Sequence, residues 1–231
     1  MRVTPPGGVA IISACLKRAG YHNMELFDAT WYPVDKDAEF ARPDRDIERS
    51  KRQMFPEYKW ERDDLDPNMF MLEDTDMYTA WRNKVIEFKP DVIISSVVED
   101  TYYLWRKFMD QVTDRKFISV CGGVFCTYFP QAFEGKCDYI LRGEGDEVVP
   151  ELMDLISEGK DGHHLMNVHP NPMRPAMNVN TLPSTDHEIF DERSLYRPFA
   201  GKIIKIATVE TQRGCPFKCK FCNSPSNAAL Y

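Results

Sequence analysis

Short apolar runs alternate with amphipathic segments over residues 1–157, and this alternation is what most constrains the fold. The run over residues 91–97 (DVIISSV) is almost continuously apolar, as in strands that are buried on both faces. Shorter runs of the same kind cover residues 24–28, 117–121 and 138–141. Helical periodicity lies between and around them, over residues 8–19, 76–88, 102–112 and 146–156. The pattern predicts an α/β domain with a parallel sheet and helices on both of its faces.

Small residues follow three of these predicted strands. Ligands of open α/β sheets bind outside the carboxyl ends of the strands, and small residues let a large ligand approach the backbone. Ordinary tight turns account for such glycines as well, and a capped strand end accounts for the serine, so both interpretations stay open. The residues concerned are Ser96, Gly122, Gly123, Gly143, Glu144 and Gly145.

The rest of the chain divides into segments of different character. Residues 33–67 carry charges of both signs and several prolines, which predicts a solvated insertion at the surface. Residues 158–200 are rich in proline and contain most of the histidines, so we expect a linker there. A new strand is predicted over residues 202–209, at the start of a second unit that covers residues 201–231.

Composition excludes several classes of protein. A formal net charge of −7 argues against nucleic acid as a partner, because phosphate backbones bind basic surfaces. No run approaches the ~18 apolar residues of a membrane-spanning helix, and the N-terminus has no signal-peptide pattern. The seven cysteines are odd in number, which suits the reducing cytoplasm better than a framework of disulfides.

Three of the cysteines, Cys215, Cys219 and Cys222, stand close together in the spacing C-x3-C-x2-C. Thiolates are soft ligands that bind iron–sulfur clusters or zinc. A structural zinc site needs a fourth ligand, for which His187 is a candidate, whereas a four-iron cluster on three cysteines keeps one iron open for chemistry. We expect the other four cysteines to be buried or half-buried small residues; they are Cys15, Cys121, Cys126 and Cys137.

The string RGCPFKCKFC over residues 213–222 resembles the cluster motif of the radical S-adenosylmethionine enzymes. The resemblance implies that Cys215, Cys219 and Cys222 bind a [4Fe-4S] cluster whose open iron binds S-adenosylmethionine. It also implies that Phe221 lies beside the cofactor and that residues 202–209 are the first strand of a catalytic barrel. An electron donor such as flavodoxin or ferredoxin would then be a partner.

The upstream domain resembles the cobalamin-binding domain that precedes the barrel in many of these enzymes. The resemblance is carried by the helix entry PPGGVA at residues 5–10, by the strand over residues 91–98, and by the strings CGG at residues 121–123 and LRGEG at residues 141–145. It implies a Rossmann-like, flavodoxin-type sheet. Ser96, Gly122, Gly123, Gly143, Glu144 and Gly145 would contact cobalamin.

The chain departs from the family's pattern in three ways. The domain normally opens with a strand ahead of the helix at residues 8–19, so we expect the first, central strand to be missing. No D-x-H-x-x-G motif supplies a histidine to cobalt, since the similar string at residues 161–166 has Met166 in place of glycine. His163, His164 and His169 are therefore expected to be loop residues. The barrel is absent as well, which indicates a fragment, a split protein or a second chain.

We therefore expect the N-terminal part of a cobalamin-dependent radical S-adenosylmethionine enzyme, acting on an unknown small molecule by methylation or rearrangement. Without the barrel, this chain is not expected to catalyse the full reaction. Two alternatives remain open. One is a non-catalytic cobalamin-binding or redox-sensing module with an incomplete cluster site, and the other is a small binding protein stabilised by zinc.

Overall fold

The fold is taken from a computed structural model, which describes residues 5–33, 72–199, 202–215 and 217–222. All but the first residue of the predicted insertion at residues 33–67 lies outside the described residues. The same holds for the part of the predicted second unit that follows Cys222.

A parallel sheet of three strands forms the centre of the upstream domain, as the apolar runs predict. Strands that follow each other along the chain are also neighbours in the sheet, and a crossover connection joins each strand to the next because the strands are parallel. The three strands are β1 (Val92–Ser96), β2 (Ile118–Gly122) and β3 (Tyr139–Ile140).

The register of the sheet aligns the carboxyl ends of its strands. Ser96, the last residue of β1, lies opposite Gly122, the last residue of β2. Cys121 lies opposite Ile140, the last residue of β3. Within the described residues β1 is an edge strand, and this leaves its other side without a hydrogen-bonded neighbour there.

Helices cover both faces of the sheet, which confirms the predicted layers. Helices α1 and α5 pack against each other on one face, and α2 and α3 pack against each other on the opposite face. Their bounds are α1 (Gly7–Arg18), α2 (Met77–Phe88), α3 (Tyr102–Asp110), α4 (Val124–Tyr128) and α5 (Val148–Ser157).

Alternation along β2 divides the core into two main clusters. Val120 points to the α1 and α5 side, where it packs with Leu16 and Leu152. Cys121 points to the other side, where it packs with residues such as Phe133. Because successive side chains of a strand face opposite ways, two fully buried neighbours require helices on both faces.

The strand predicted over residues 24–28 does not form. This segment is irregular, and its apolar side chains pack into an aromatic cluster instead of a ladder. The Phe27 ring lies 5.3 Å from that of Trp81 and 5.5 Å from that of Phe108, between centroids. Apolar composition therefore marks burial here, while the backbone of the segment pairs with no strand among the described residues.

The chain from residue 158 onward contains more regular structure than a plain linker. Val168 forms an isolated antiparallel bridge with Leu141, beside β3. Strand β4 (Tyr196–Phe199) then pairs with β5 (Lys202–Lys205) in an antiparallel hairpin. The strand predicted over residues 202–209 is thus shorter than expected, and its observed partner is antiparallel rather than parallel as in a barrel.

Two contacts explain why that strand stops early. The amide of Ile206 donates to the carbonyl oxygen of Leu195, which closes the hairpin. Beyond it, the Thr208 hydroxyl donates to the carbonyl oxygen of Pro5 (3.0 Å), ahead of α1. The chain is therefore held against the upstream domain where a longer strand was expected. None of the described helices has the length and apolar character that a membrane span requires.

Candidate cofactor and cluster site

The loop after β2 approaches the end of β1 very closely. Gly123 has a φ of 101°, and a Cβ at this position would lie 2.7 Å from the carbonyl oxygen of Val97. The same Cβ would lie 3.2 Å from the hydroxyl oxygen of Ser96. Only glycine fits both this φ and this contact. The structure thus places Ser96, Gly122 and Gly123 side by side, as the sequence predicts.

Thr127 joins the loops after β2 and β3, and sequence reasoning did not find it. Its hydroxyl donates to the carbonyl oxygen of Gly123 and accepts from the amide of Gly143, both at 3.0 Å. Gly143 has a φ of 72°, which again favours glycine. A threonine one turn after a Gly-Gly pair was the available signal, because its hydroxyl can reach the carbonyl at i−4.

The carboxylate of Glu144 already has partners within the protein. It accepts the backbone amide of Met177 (3.0 Å), and it lies 3.1 Å from the guanidinium of Arg213. These contacts tie together the turn after β3, the linker and the base of the cysteine loop. Contact with cobalamin remains a prediction for Glu144, and it would have to share or displace these partners.

Gly145 has a packing role next to the same turn. A Cβ at this position would lie 2.9 Å from the Cδ1 atom of Ile12 in α1. Glycine here lets α1 approach the end of β3, since real side-chain atoms are not found this close. Gly122 is different, because its Cβ would meet only Leu141 at an ordinary 3.7 Å.

Asn167 stabilises the turn after β3, a role that the sequence pattern did not indicate. Its side-chain amide donates to the carbonyl oxygens of Arg142 (2.7 Å) and Glu144 (3.0 Å), and its Oδ1 accepts the amide of Arg174. Asn167 is buried and has a φ of 72°, a conformation that asparagine tolerates better than most residues. Its position within a proline-rich linker hid this role.

The carboxyl end of the sheet offers an open apolar surface beside these small residues. Val98 follows β1 and Val124 follows Gly123, and both side chains are exposed. Small residues at three strand ends with apolar neighbours suit a large, partly apolar ligand. The small residues and exposed apolar side chains of this rim are compatible in chemistry with the cofactor that the resemblance implies.

His163 lies at the other end of the sheet. His163 hydrogen-bonds with Asp161 and with the carbonyl oxygen of Asp138, and its ring stacks on Tyr139. Asp138 precedes β3, so His163 belongs to the amino end of the sheet, opposite Gly143. The hydrogen bond with Asp161 raises the pKa of His163. A His163 ligand to a cofactor at the carboxyl end is thus excluded by geometry.

The cysteine loop is exposed along its described length. Cys215, Cys219 and Cys222 are all exposed, and a turn brings the amide of Cys222 to 3.1 Å from the carbonyl oxygen of Cys219. Phe221 is 93% exposed. The donor set is right for an iron–sulfur cluster, since three thiols stand on one accessible loop.

The described side chains do not yet form a metal site. Over residues 5–33, 72–199, 202–215 and 217–222, no three His, Cys, Asp or Glu side chains are grouped to hold a metal ion. Metal-binding geometry commonly assembles only on binding, so an open loop is compatible with the donor set. His187 does not join these cysteines, because its Nε2 accepts the amide of Thr208 (3.0 Å).

The other cysteines are buried (Cys15, Cys121 and Cys126) or half-buried (Cys137), as expected for all four. Burial raises the pKa of the Cys15 thiol to about 11. A hydrogen bond with Cys137, together with burial, raises the pKa of Cys121 far above its usual range. The Cys15 and Cys121 thiols are therefore protonated at neutral pH and are poor ligands.

A cavity of about 430 Å³ lies between the linker and the base of the cysteine loop. It is lined by residues 176–179 on the linker and residues 211–213 on the loop. The cavity thus adjoins Glu144 through Met177 and Arg213, on the side of the sheet where the predicted cofactor residues lie.

Comparison with known proteins gives distant relatives. No protein-family model matches the sequence, and no solved structure matches it significantly. An uncharacterized methyltransferase of Pyrococcus horikoshii is 28% identical over 158 residues, 61% of this chain and 33% of that protein. An anaerobic magnesium-protoporphyrin IX monomethyl ester cyclase of Cereibacter sphaeroides is 22% identical over 238 aligned residues, 95% of this chain and 31% of that protein.

A third relative is the hopanoid C-3 methylase of Methylococcus capsulatus. It is 30% identical over 97 residues, 39% of this chain and 18% of that protein. The chain therefore spans a third or less of the length of each of these three relatives. Their names describe methyl transfer and ring closure.

Proposed function

We propose that this chain is the N-terminal part of a cobalamin-dependent radical S-adenosylmethionine enzyme. It would bind a [4Fe-4S] cluster on Cys215, Cys219 and Cys222 and cobalamin at the carboxyl end of the sheet. The observation that carries the proposal is that the cysteine loop begins against that same end. Arg213, two residues before Cys215, contacts Glu144 in the turn after β3.

The relatives support this class of reaction. Names that describe methylation and cyclisation suit an enzyme that activates an unreactive carbon of a small-molecule substrate. The whole enzyme's activity and its substrate are part of the proposal, since the chain covers a third or less of these relatives. An electron donor and a barrel, from this protein or a second chain, complete the proposed machinery.

Different residues of the chain would bind the two proposed cofactors. When bound, the cluster with S-adenosylmethionine supplies a radical and cobalamin supplies a methyl-transferring metal centre. Three thiolates hold the cluster and leave one coordination position open. Ser96, Gly122 and Gly123 would contact the second cofactor at the strand ends, and the exposed side chains of Val98 and Val124 would pack against it. Gly123 also has a structural role, because Val97 fills the space that its Cβ would need.

Anaerobic reconstitution with iron, sulfide and hydroxocobalamin tests the proposal. We expect a broad band near ~400 nm with about four irons per chain, and corrinoid absorbance that survives desalting. Cys219→Ala should lose the band, whereas Cys137→Ala, which removes a thiol away from the loop, should keep it. Zinc in place of iron, together with no retained corrinoid, would show that the proposal is wrong.

A matched pair of variants locates the corrinoid. Ser96→Tyr places a bulky ring at the exposed carboxyl end of β1 and should abolish corrinoid retention without loss of iron. Thr113→Tyr makes the same change at an exposed turn before β2, at the other end of the sheet, and should retain it. Equal retention of corrinoid by both variants would contradict a cobalamin site at this end of the sheet.

A further inference from the structure

A buried ion pair connects the base of the cysteine loop to the upstream domain. The guanidinium of Arg213 donates two hydrogen bonds to the carboxylate of Asp146, at 2.7 and 2.9 Å. Glu144 and Glu210 lie 3.1 and 2.8 Å from the same guanidinium. A planar guanidinium bound at two points is fixed in direction as well as in position.

The pair is well shielded from water. The side chain of Asp146 is 3% exposed and that of Arg213 is 11% exposed. Two charges removed from water this far stabilise each other only while both are present, and loss of one leaves the other without compensation. Glu210 is different, because its side chain is 44% exposed and its contribution is screened.

The turn that receives Arg213 is held from several sides. Gly145 packs against Ile12 of α1, and Asn167 binds the carbonyl oxygens of Arg142 and Glu144. The cysteine loop contrasts with this turn. Gly214, Cys215 and every described residue over 217–222 are exposed. Arg213 is therefore the residue through which the exposed cysteine loop contacts the well-packed turn after β3.

We propose that Arg213 is a positioning residue, whose two-point ion pair with Asp146 fixes the cysteine loop beside the carboxyl end of the sheet. The ion pair sets the separation between the two cofactor sites. This inference rests on the proposed function for its consequence, whereas the anchoring of the loop stands on the ion pair alone. The experiment below separates the two.

Hydrogen exchange of the full chain, followed by mass spectrometry, tests the anchoring without any cofactor. Asp146→Asn and Arg213→Gln should each speed exchange of the Thr208 amide, which donates to His187 (3.0 Å), by about 10-fold or more, because the segment that carries it would open more often. Arg213→Lys keeps the charge but not the two-point geometry and should fall between them and the native chain. Glu210→Gln is the control and should change exchange less than about 2-fold.

The consequence is read from the reconstituted protein. Iron loss to a chelator should be about 10-fold faster in Arg213→Gln than in Glu210→Gln, and Arg213→Lys should restore part of the difference. With cobalamin also bound, the magnetic coupling between the reduced cluster and cob(II)alamin should have one well-defined strength in the native chain, because the distance between the two sites is fixed. It should be weakened or spread in Arg213→Gln.

Each result decides one of the two claims. A native exchange rate of the Thr208 amide in Asp146→Asn would overturn the anchoring, as would an equal increase in α5, which would indicate general destabilisation. Faster local exchange with unchanged iron loss and coupling would overturn the positioning role. A native chain that binds no iron would contradict the proposed function while the exchange data still decide the anchoring.

Discussion

The ammonium group of Lys17, near the end of α1, lies 2.8 Å from the buried carboxylate of Asp186 in the linker. The Ser13 hydroxyl donates to the same carboxylate, and the amide of Asp186 donates to the carbonyl oxygen of Ala10. One aspartate thus binds α1 through three contacts. It attaches the segment that leads to the cysteine loop to the first helix of the upstream domain.

This arrangement predicts how stability depends on pH. Burial raises the pKa of Asp186, but hydrogen bonds from Lys17 and Ser13 outweigh burial and hold that pKa below its ordinary value. A carboxyl group with a lowered pKa in the folded state stabilises the fold above its unfolded pKa, about 3.9. That contribution is lost as the pH falls through the lower, folded pKa.

Urea unfolding of Asp186→Asn should therefore show a loss of about 2 kcal/mol at pH 7 and a smaller difference from the native chain in strong acid. Glu188→Gln is the control, because Glu188 is 92% exposed and lies 3.9 Å from Lys17. It should change the free energy of unfolding by less than about 0.5 kcal/mol. A pH-independent effect of Asp186→Asn would contradict the assignment.

Substitution of Gly123 should lower the free energy of unfolding by more than its positive φ alone explains. Gly123→Ala combines a positive φ with a Cβ only 2.7 Å from a carbonyl oxygen, so we expect a loss of about 3 kcal/mol or more. Gly159→Ala has a φ of 68° but open space around its Cβ, and should lose about 1 kcal/mol. Chemical denaturation of both variants isolates the clash, and equal losses would argue against it.

Removal of the Asn167 side chain should loosen the turn after β3. Asn167→Ala leaves the carbonyl oxygens of Arg142 and Glu144 without their donor and puts alanine at a φ of 72°. We expect a loss of about 3 kcal/mol in denaturation and faster exchange of the amides over residues 142–146. Asn180→Ala, at an exposed linker position, should be nearly neutral.

Alkylation should divide the cysteines into two groups. In the folded apo-protein, Cys215, Cys219 and Cys222 should react with iodoacetamide readily, since all three are exposed. Buried thiols with raised pKa values carry little thiolate, so Cys15, Cys121 and Cys126 should react more than about 10-fold slower below pH 9. Peptide mass spectrometry gives each rate.

Reconstitution provides the control for this experiment. If the three loop cysteines bind a cluster, all three should become protected together once iron and sulfide are added, while the rates at Cys15 and Cys126 stay the same. Protection of fewer than three loop cysteines would contradict a three-thiolate site.

Periodicity was sufficient for most of the upstream fold. The runs at residues 91–97, 117–121 and 138–141 became β1, β2 and β3. The expectation that the first run is buried on both faces was wrong, because β1 is an edge strand among the described residues and its Ile94 is exposed. The strand predicted over residues 24–28 does not form, because apolar composition indicates contact with the core but not hydrogen bonding to a neighbouring strand. Phe27 is half-buried among aromatic rings, and no ladder among the described residues reaches its backbone.

The candidate site divides in the same way. Local chemistry was readable from the chain: three cysteines at C-x3-C-x2-C, and small residues such as Ser96 and Gly123 at strand ends. Thr127 and Asn167 were not readable, because their value lies in which distant carbonyl and amide groups they reach. The early end of β5 depended likewise on a contact between Thr208 and Pro5 across the fold.

The order of residues thus determines the α/β architecture and the donor atoms of the cysteine loop, since periodicity and ligand chemistry are local properties of the chain. Tertiary structure alone decides that Glu144 and Asp146 face Arg213 from 67 positions or so away along the sequence. Charge pairing at that separation depends on how β3, the linker and the cysteine loop pack, and no spacing rule encodes it. The physical link between the two candidate cofactor sites is therefore a property of the fold.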